Sequence, residues 1–273
     1  MLQNILRRSI MHWAATAFLL LVMGAGASFA DRQADIDELV NLMKFAETME
    51  IIRDEGRNYG ATIAEDMLTG VDAESWNTTV ADIYDPKWMM EVVRQGFDAD
   101  LSQTDLAPLL SYFRSDEGRE VIRLEITARR AFSDADVEAA AKQRLDVLVD
   151  AHADILEQVQ TLIDDSNLID HNVAGTLNSN MMFYTGLYEG LNLPANAGVT
   201  EAEMLADVWA QEEETRADTI SWLTSYMVMA YQPLPPDALE AYAAVFRSAE
   251  GRDLNRAIFA GFDRMFEEVA YKL

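Results

Sequence analysis

Residues 113–119 read Phe113-Arg114-Ser115-Asp116-Glu117-Gly118-Arg119, and residues 246–252 read Phe246-Arg247-Ser248-Ala249-Glu250-Gly251-Arg252. Six of these seven positions are identical at an offset of 133. The same offset, without a gap, pairs Arg123 with Arg256, Leu106 with Leu239, Leu101 with Leu234 and Asp85 with Asp218. Further back it pairs Trp76 with Trp209 and Met49 with Met182. A recurrence of this kind restricts the fold, because the packing that satisfies the first stretch must be offered again to the second. Two tandem modules are expected, over 31–132 and 166–273, with a single long connecting helix over 133–165.

The modules read as helical. Ile36, Leu39, Val40, Met43 and Ala46 recur at steps of three and four, which places them on one helix face. Asp85-Pro86 is an N-cap followed by proline in the first turn, with Met89, Met90, Val93 and Phe97 as the stripe behind it. Ser102 is expected to open a helix carrying Leu106, Leu109, Leu110 and Phe113. Thr200 and Glu203 have capping-box spacing. Ser133 and Asp136 are expected to start the connecting helix, with Leu145, Leu148, Ala151, Ile155, Val159 and Leu162 as its stripe and Asp164–Asn167 as its end. No segment alternates over a strand's length between turn dipeptides, so the fold class is all-α, with about five or six helices per module.

The repeated stretch reads as the corner of a helical hairpin. Phe113 closes one helix on its apolar face, and Ser115 caps the next by accepting from a first-turn amide. Asp116 and Glu117 suit the positive end of that helix, and Gly118 lets the preceding helix approach. Phe246, Ser248, Glu250 and Gly251 repeat the logic. Arginine is scarce in so acidic a chain. Arg114, Arg119 and Arg123, recurring as Arg247, Arg252 and Arg256, are therefore candidate ligands for a carboxylate or phosphate. Pairing with nearby carboxylates is the competing expectation.

The aromatic-Arg-Ser-x-x-Gly-(Arg/Lys) corner, preceded by a leucine-bearing helix, resembles the bacterial domain-of-unknown-function family numbered 2059. The match is clearest over 106–123 and 239–256. The resemblance implies a helical fold and export, and it supplies no catalytic residue.

Arg7 and Arg8, an apolar run from Trp13 to Met23, and small residues ending at Ala30 have the order of a secretory signal peptide, with cleavage expected after Ala30. Export to the periplasm or beyond follows as the expected localisation, with no membrane contact once the segment is removed. The formal net charge is −26, and removing residues 1–30, which carry two arginines and no acid, makes it −28. Such a chain repels nucleic acid and anionic headgroups, and a cationic partner suits it. Cysteine is absent, so apolar burial rather than disulfides must hold the fold.

The chemistry-bearing motifs fail. No His-Glu-x-x-His, Gly-x-Ser-x-Gly or glycine-rich phosphate loop occurs. On a continuous helix His152 points away from Asp150 and Asp154 and is expected to pack on the apolar stripe. Asp98, Asp100 and Ser102 imitate a calcium loop, but Gln103 stands at its glycine position and Leu109 at its bidentate glutamate. The paired methionines Met89-Met90, Met181-Met182 and Met227/Met229 read as core filler. Phe183, Tyr184, Tyr188, Trp209, Trp222, Tyr226 and Tyr231 either build the second module's core or line a groove. No cofactor and no metal site is expected. The expected function is a non-enzymatic scaffold for a protein or peptide. A carrier of a small anionic or apolar ligand, and an enzyme working through acidic residues, are the alternatives.

Overall fold

The computed structural model describes residues 31–68, 70, 72–191 and 200–273. The expected signal segment lies outside them. Among the described residues every regular element is helical: α1 (31–42), α2 (Phe45–Met67), α3 (Ala73–Ile83), α4 (Pro86–Asp100), α5 (Ala107–Arg114), α6 (Asp116–Phe132), α7 (Ala135–Asp150), α8 (Asp154–Asp165), α9 (Leu168–Gly190), α10 (Glu201–Trp209), α11 (Glu212–Tyr231), α12 (Pro236–Arg247) and α13 (Ala249–Lys272). None of these helices is long and apolar enough to cross a membrane.

Local chemistry sets most boundaries. Asp85 accepts from the amides of Lys87 and Trp88, and Pro86 occupies the first turn of α4. Thr200 and Glu203 form the reciprocal capping box of α10. Ser115 accepts from Gly118 at 3.0 Å, and Ser248 accepts from Gly251 at 2.9 Å. The two corners agree closely, with φ and ψ of −65° and 163° at Ser115 and −68° and 165° at Ser248. A Cβ at Gly118 would strike the Tyr112 carbonyl oxygen, and one at Gly251 would strike that of Val245. These are backbone obstacles that no rotamer change removes. Gly251→Ala is expected to destabilise by about 2 kcal/mol, read as a lower urea midpoint at unchanged slope.

The structure departs from four sequence expectations. Residues 133–165 form two helices, α7 and α8, rather than one. His152 sits at φ 51°, its amide donates to Val149, and that of Ala153 donates to Leu148. This is a Schellman ending with histidine, one of the residues that tolerates the left-handed region, where glycine usually stands. His152 is consequently exposed in the turn, its ring nitrogen 3.2 Å from the Asp150 carbonyl, and is not packed on a stripe. Asp134, not Ser133 or Asp136, caps α7. Ser102 lies in a 3₁₀ turn, Leu101–Gln103, and α5 starts only at Ala107, because Thr104 is extended and its hydroxyl bonds Asp253 at 2.8 Å.

The halves share one core. A single cluster runs from Ile36, Leu39 and Met49 through Phe97, Leu109, Phe113 and Val121 to Leu239, Leu254 and Met265. The most extensive helix pairing is α4 against α13, across the halves. There a Cβ at Gly96 would lie 2.9 Å from the Ala260 carbonyl, and one at Gly261 would lie 2.6 Å from the Val93 carbonyl. The pair related to it by 133 positions is α11 against α6, also in contact. At that crossing Met229 and Ala128 stand where Gly96 and Gly261 would fall. Across this pair Phe132 of α6 meets Trp222 and Tyr226 of α11.

Candidate functional site

The six sequence-selected arginines fall at the two corners and are engaged with carboxylates or carbonyls. Arg114 clasps Glu38 through two bonds of 2.6 Å. Arg119 reaches Asp116 at 2.6 Å and the Arg114 carbonyl. Arg123 pairs with Glu120. At the second corner Arg247 pairs with Asp165 and Glu240, Arg252 caps the Arg247 carbonyl, and Arg256 pairs with Asp253 and Asp100. Each guanidinium bond to Glu38 or Glu120 holds that carboxyl below its ordinary range. The pairs are largely exposed and individually weak. Each of the six is thus held by a carboxylate or carbonyl of its own. Arg119 and Arg123 also share a groove with Lys44 and Arg130.

Sequence reasoning passed over Glu125. It lies four residues after Val121 and three before Ala128, on the buried stripe of α6, and that spacing was the available signal. Its stem keeps some exposure while its carboxylate is enclosed between α6, α11 and α12. Oε1 accepts from Tyr231 at 2.5 Å and from Tyr242 at 2.8 Å. The hydroxyl of Tyr226 donates to the Glu125 carbonyl at 3.1 Å. Tyr112 stacks on Tyr242 at 6.0 Å, and its own buried hydroxyl has no partner among the described residues. Burial pushes the Glu125 carboxyl up, against the opposing effect of the two phenol bonds. Burial, then the Glu125 charge, pushes the phenols of Tyr231 and Tyr242 far above their usual range. Beside this knot Phe132 meets Trp222 and Tyr226 edge-on, and Arg129 lies 5.0 Å from the Trp222 ring. The cluster holds α6 in register against α11 and α12.

The seven aromatics of the second half divide. Trp222, Tyr226 and Tyr231 pack at the α6 crossing. Phe183, Tyr184 and Tyr188 stay partly exposed, and Trp209 is 61% exposed. From Met181 to Tyr188 the chain is partly exposed at every position, so the end of α9 stands out from the core. On one side α10 covers it through Val208, with Met181 and Tyr184 in the same small cluster. On another side α13 approaches until a Cβ at Gly186 would strike the Tyr271 carbonyl. Phe183, Leu187 and Leu191, at steps of four, form a stripe that neither helix encloses. Leu205 and Trp209 on α10 and Phe266 on α13 add exposed apolar area nearby.

Among the described residues no group of three or more His, Cys, Asp and Glu side chains is placed to hold a metal ion. Asp98 is taken by Arg94 and Asp100 by Arg256. No known family's sequence profile, no curated protein and no solved structure matches this chain.

Proposed function

We propose that the protein is an exported, non-enzymatic scaffold that binds a cationic, apolar-faced segment of another protein across the end of α9. The observation that carries this reading is the stripe Phe183, Leu187, Leu191 with Tyr188 beside it. At the positions 133 earlier, α2 has Glu50, Asp54, Asn58 and Glu55. A helix in that place is therefore compatible with a charged, solvated face, and the apolar face of α9 answers to something other than folding. Glu189, Asp207, Glu267 and Glu268 outnumber Arg264 and Lys272 on the adjoining stretches of α9, α10 and α13, which favours a basic partner. A second copy, itself −28 after cleavage, is disfavoured for the same reason.

The scaffold itself reads as two copies of one module, 31–132 and 166–273, interlocked so that each lends a helix to the other. The matching serine-capped corners and the related pairs α4 with α13 and α6 with α11 support this reading. Membership of the family numbered 2059, and export through cleavage after Ala30, belong to the same proposal and rest on the sequence.

An 18-residue amphipathic Leu/Lys helix is a suitable probe. Wild-type protein is expected to bind it saturably in calorimetric titration. Leu187→Glu with Leu191→Glu is expected to weaken binding at least about tenfold, although it adds negative charge, with the melting temperature held within about 3 °C. Unchanged or tighter binding by that variant would mean attraction by net charge alone and would refute the surface.

A further inference from the structure

Where the turn between α1 and α2 runs alongside α6, a groove of about 520 Å³ opens. Its floor is apolar, made of Leu42, Ile122 and Ile126. Its rims carry Lys44, Arg119, Arg123 and Arg130, against only Glu38 and Glu47. With their ion-pair partners counted, Lys44, Arg114, Arg119, Arg123 and Arg130 stand against Glu38, Glu47, Asp116 and Glu120, a local excess of positive charge in a chain of net charge −26. Arg130 makes no ion pair within 4.0 Å among the described residues, while Lys44, Arg119 and Arg123 hold exposed pairs that exchange at little cost.

The groove is not a by-product of the recurring scaffold. At the positions 133 later, Lys44 becomes Leu177, Arg130 becomes Asp263, and Ile122 becomes Asn255. The left-handed turn at Lys44, φ 60°, brings that cation to the wall facing α6. At the position 133 later the chain runs straight through α9, and the left-handed residue of the second half, Asn167 at φ 49°, stands at the start of that helix and is uncharged. The cation at this turn belongs to the first half alone.

We infer that the groove binds a free single-chain amphipathic anion, an alkyl carboxylate, with its head among Lys44, Arg123 and Arg130 and its tail along Leu42 and Ile126. Neither feature suffices alone. A compact inorganic anion would leave Leu42 and Ile126 partly exposed, and a neutral alkane would leave the cations unused. The volume lies within the range of small-ligand sites. This inference does not depend on the α9 surface, which shares no residue with the groove.

Dodecanoate below its micellar concentration is the probe, titrated calorimetrically into the protein. Saturable one-to-one binding is expected. Lys44→Glu with Arg130→Glu is expected to weaken it at least about tenfold, and so is replacing the probe by dodecanol. Ile126→Asp should act in the same direction. Arg252→Ala with Arg256→Ala, at the other corner, should leave affinity within about twofold. Melting curves confirm that each variant is folded. No saturable heat with dodecanoate would overturn the inference. So would equal loss in the Arg252/Arg256 variant, or binding to anionic phosphatidylglycerol vesicles without binding to free dodecanoate.

Discussion

Gly261→Leu is expected to remove at least about 3 kcal/mol of stability, enough to leave much of the protein unfolded at ambient temperature. The reason is a contact between backbones. Gly261 on α13 and Gly96 on α4 let the two helices touch main chain to main chain. A Cβ at 261 would stand 2.6 Å from the Val93 carbonyl oxygen and 3.1 Å from its Cγ1. The carbonyl cannot turn aside without breaking its own helix, so the whole of α13 must withdraw. Its withdrawal would open the core around Phe97, Leu101, Leu254 and Met265, all fully buried. Urea denaturation reads the loss. Gly190→Leu serves as the control, since a Cβ there meets nothing within 4 Å. A Gly261→Leu midpoint equal to wild type would contradict the close approach.

Glu125 gives the second large effect, and the two substitutions differ in sign. Glu125→Leu removes the acceptor shared by Tyr231 and Tyr242 and leaves two buried hydroxyls unpaired, at about 1–3 kcal/mol each. Glu125→Gln keeps an acceptor oxygen and discards the ionisable group. Because burial raises the folded-state pKa of Glu125, the native state binds the proton more tightly than the unfolded chain. The ionised carboxylate is therefore a liability. It is absent below the ordinary carboxylate range and grows as pH rises through the raised value. Glu125→Gln is expected to melt higher than wild type near neutral pH, with the difference shrinking toward zero at about pH 4. Asp263, which burial and then the charge of Glu267 push up to about 6, adds a similar slope to both proteins and cancels in the comparison. A constant difference across this range would show that Glu125 titrates as an ordinary surface acid.

Sequence reading reached the corners because their chemistry is local. A serine three residues before a glycine, after an aromatic, fixes a cap and a close approach without knowledge of any distant residue. It failed between α7 and α8 because nothing there announces an end. No glycine or proline interrupts 145–162, and His152 takes the left-handed position unaided. Glu125 was legible in principle, since an acid within the stripe Val121, Ala128, Phe132 must find donors. Which donors was not legible, because Tyr231 and Tyr242 lie more than a hundred residues away. The same limit governed the aromatics. Spacing along α9 and α11 is helical in both. Only the arrival of α6 against α11 decides that the half-exposed Trp222 and Tyr226 pack on the core while Phe183 and Tyr188, also half-exposed, do not.

The account rests on a core that both halves build jointly through α4 with α13 and α6 with α11. Scanning calorimetry of residues 31–273 tests it most directly. One reversible transition, with its van't Hoff enthalpy equal to the calorimetric enthalpy, is the expected result. Two resolved transitions, each shifted separately by Gly118→Ala in the first half and Gly251→Ala in the second, would mean that the halves fold independently.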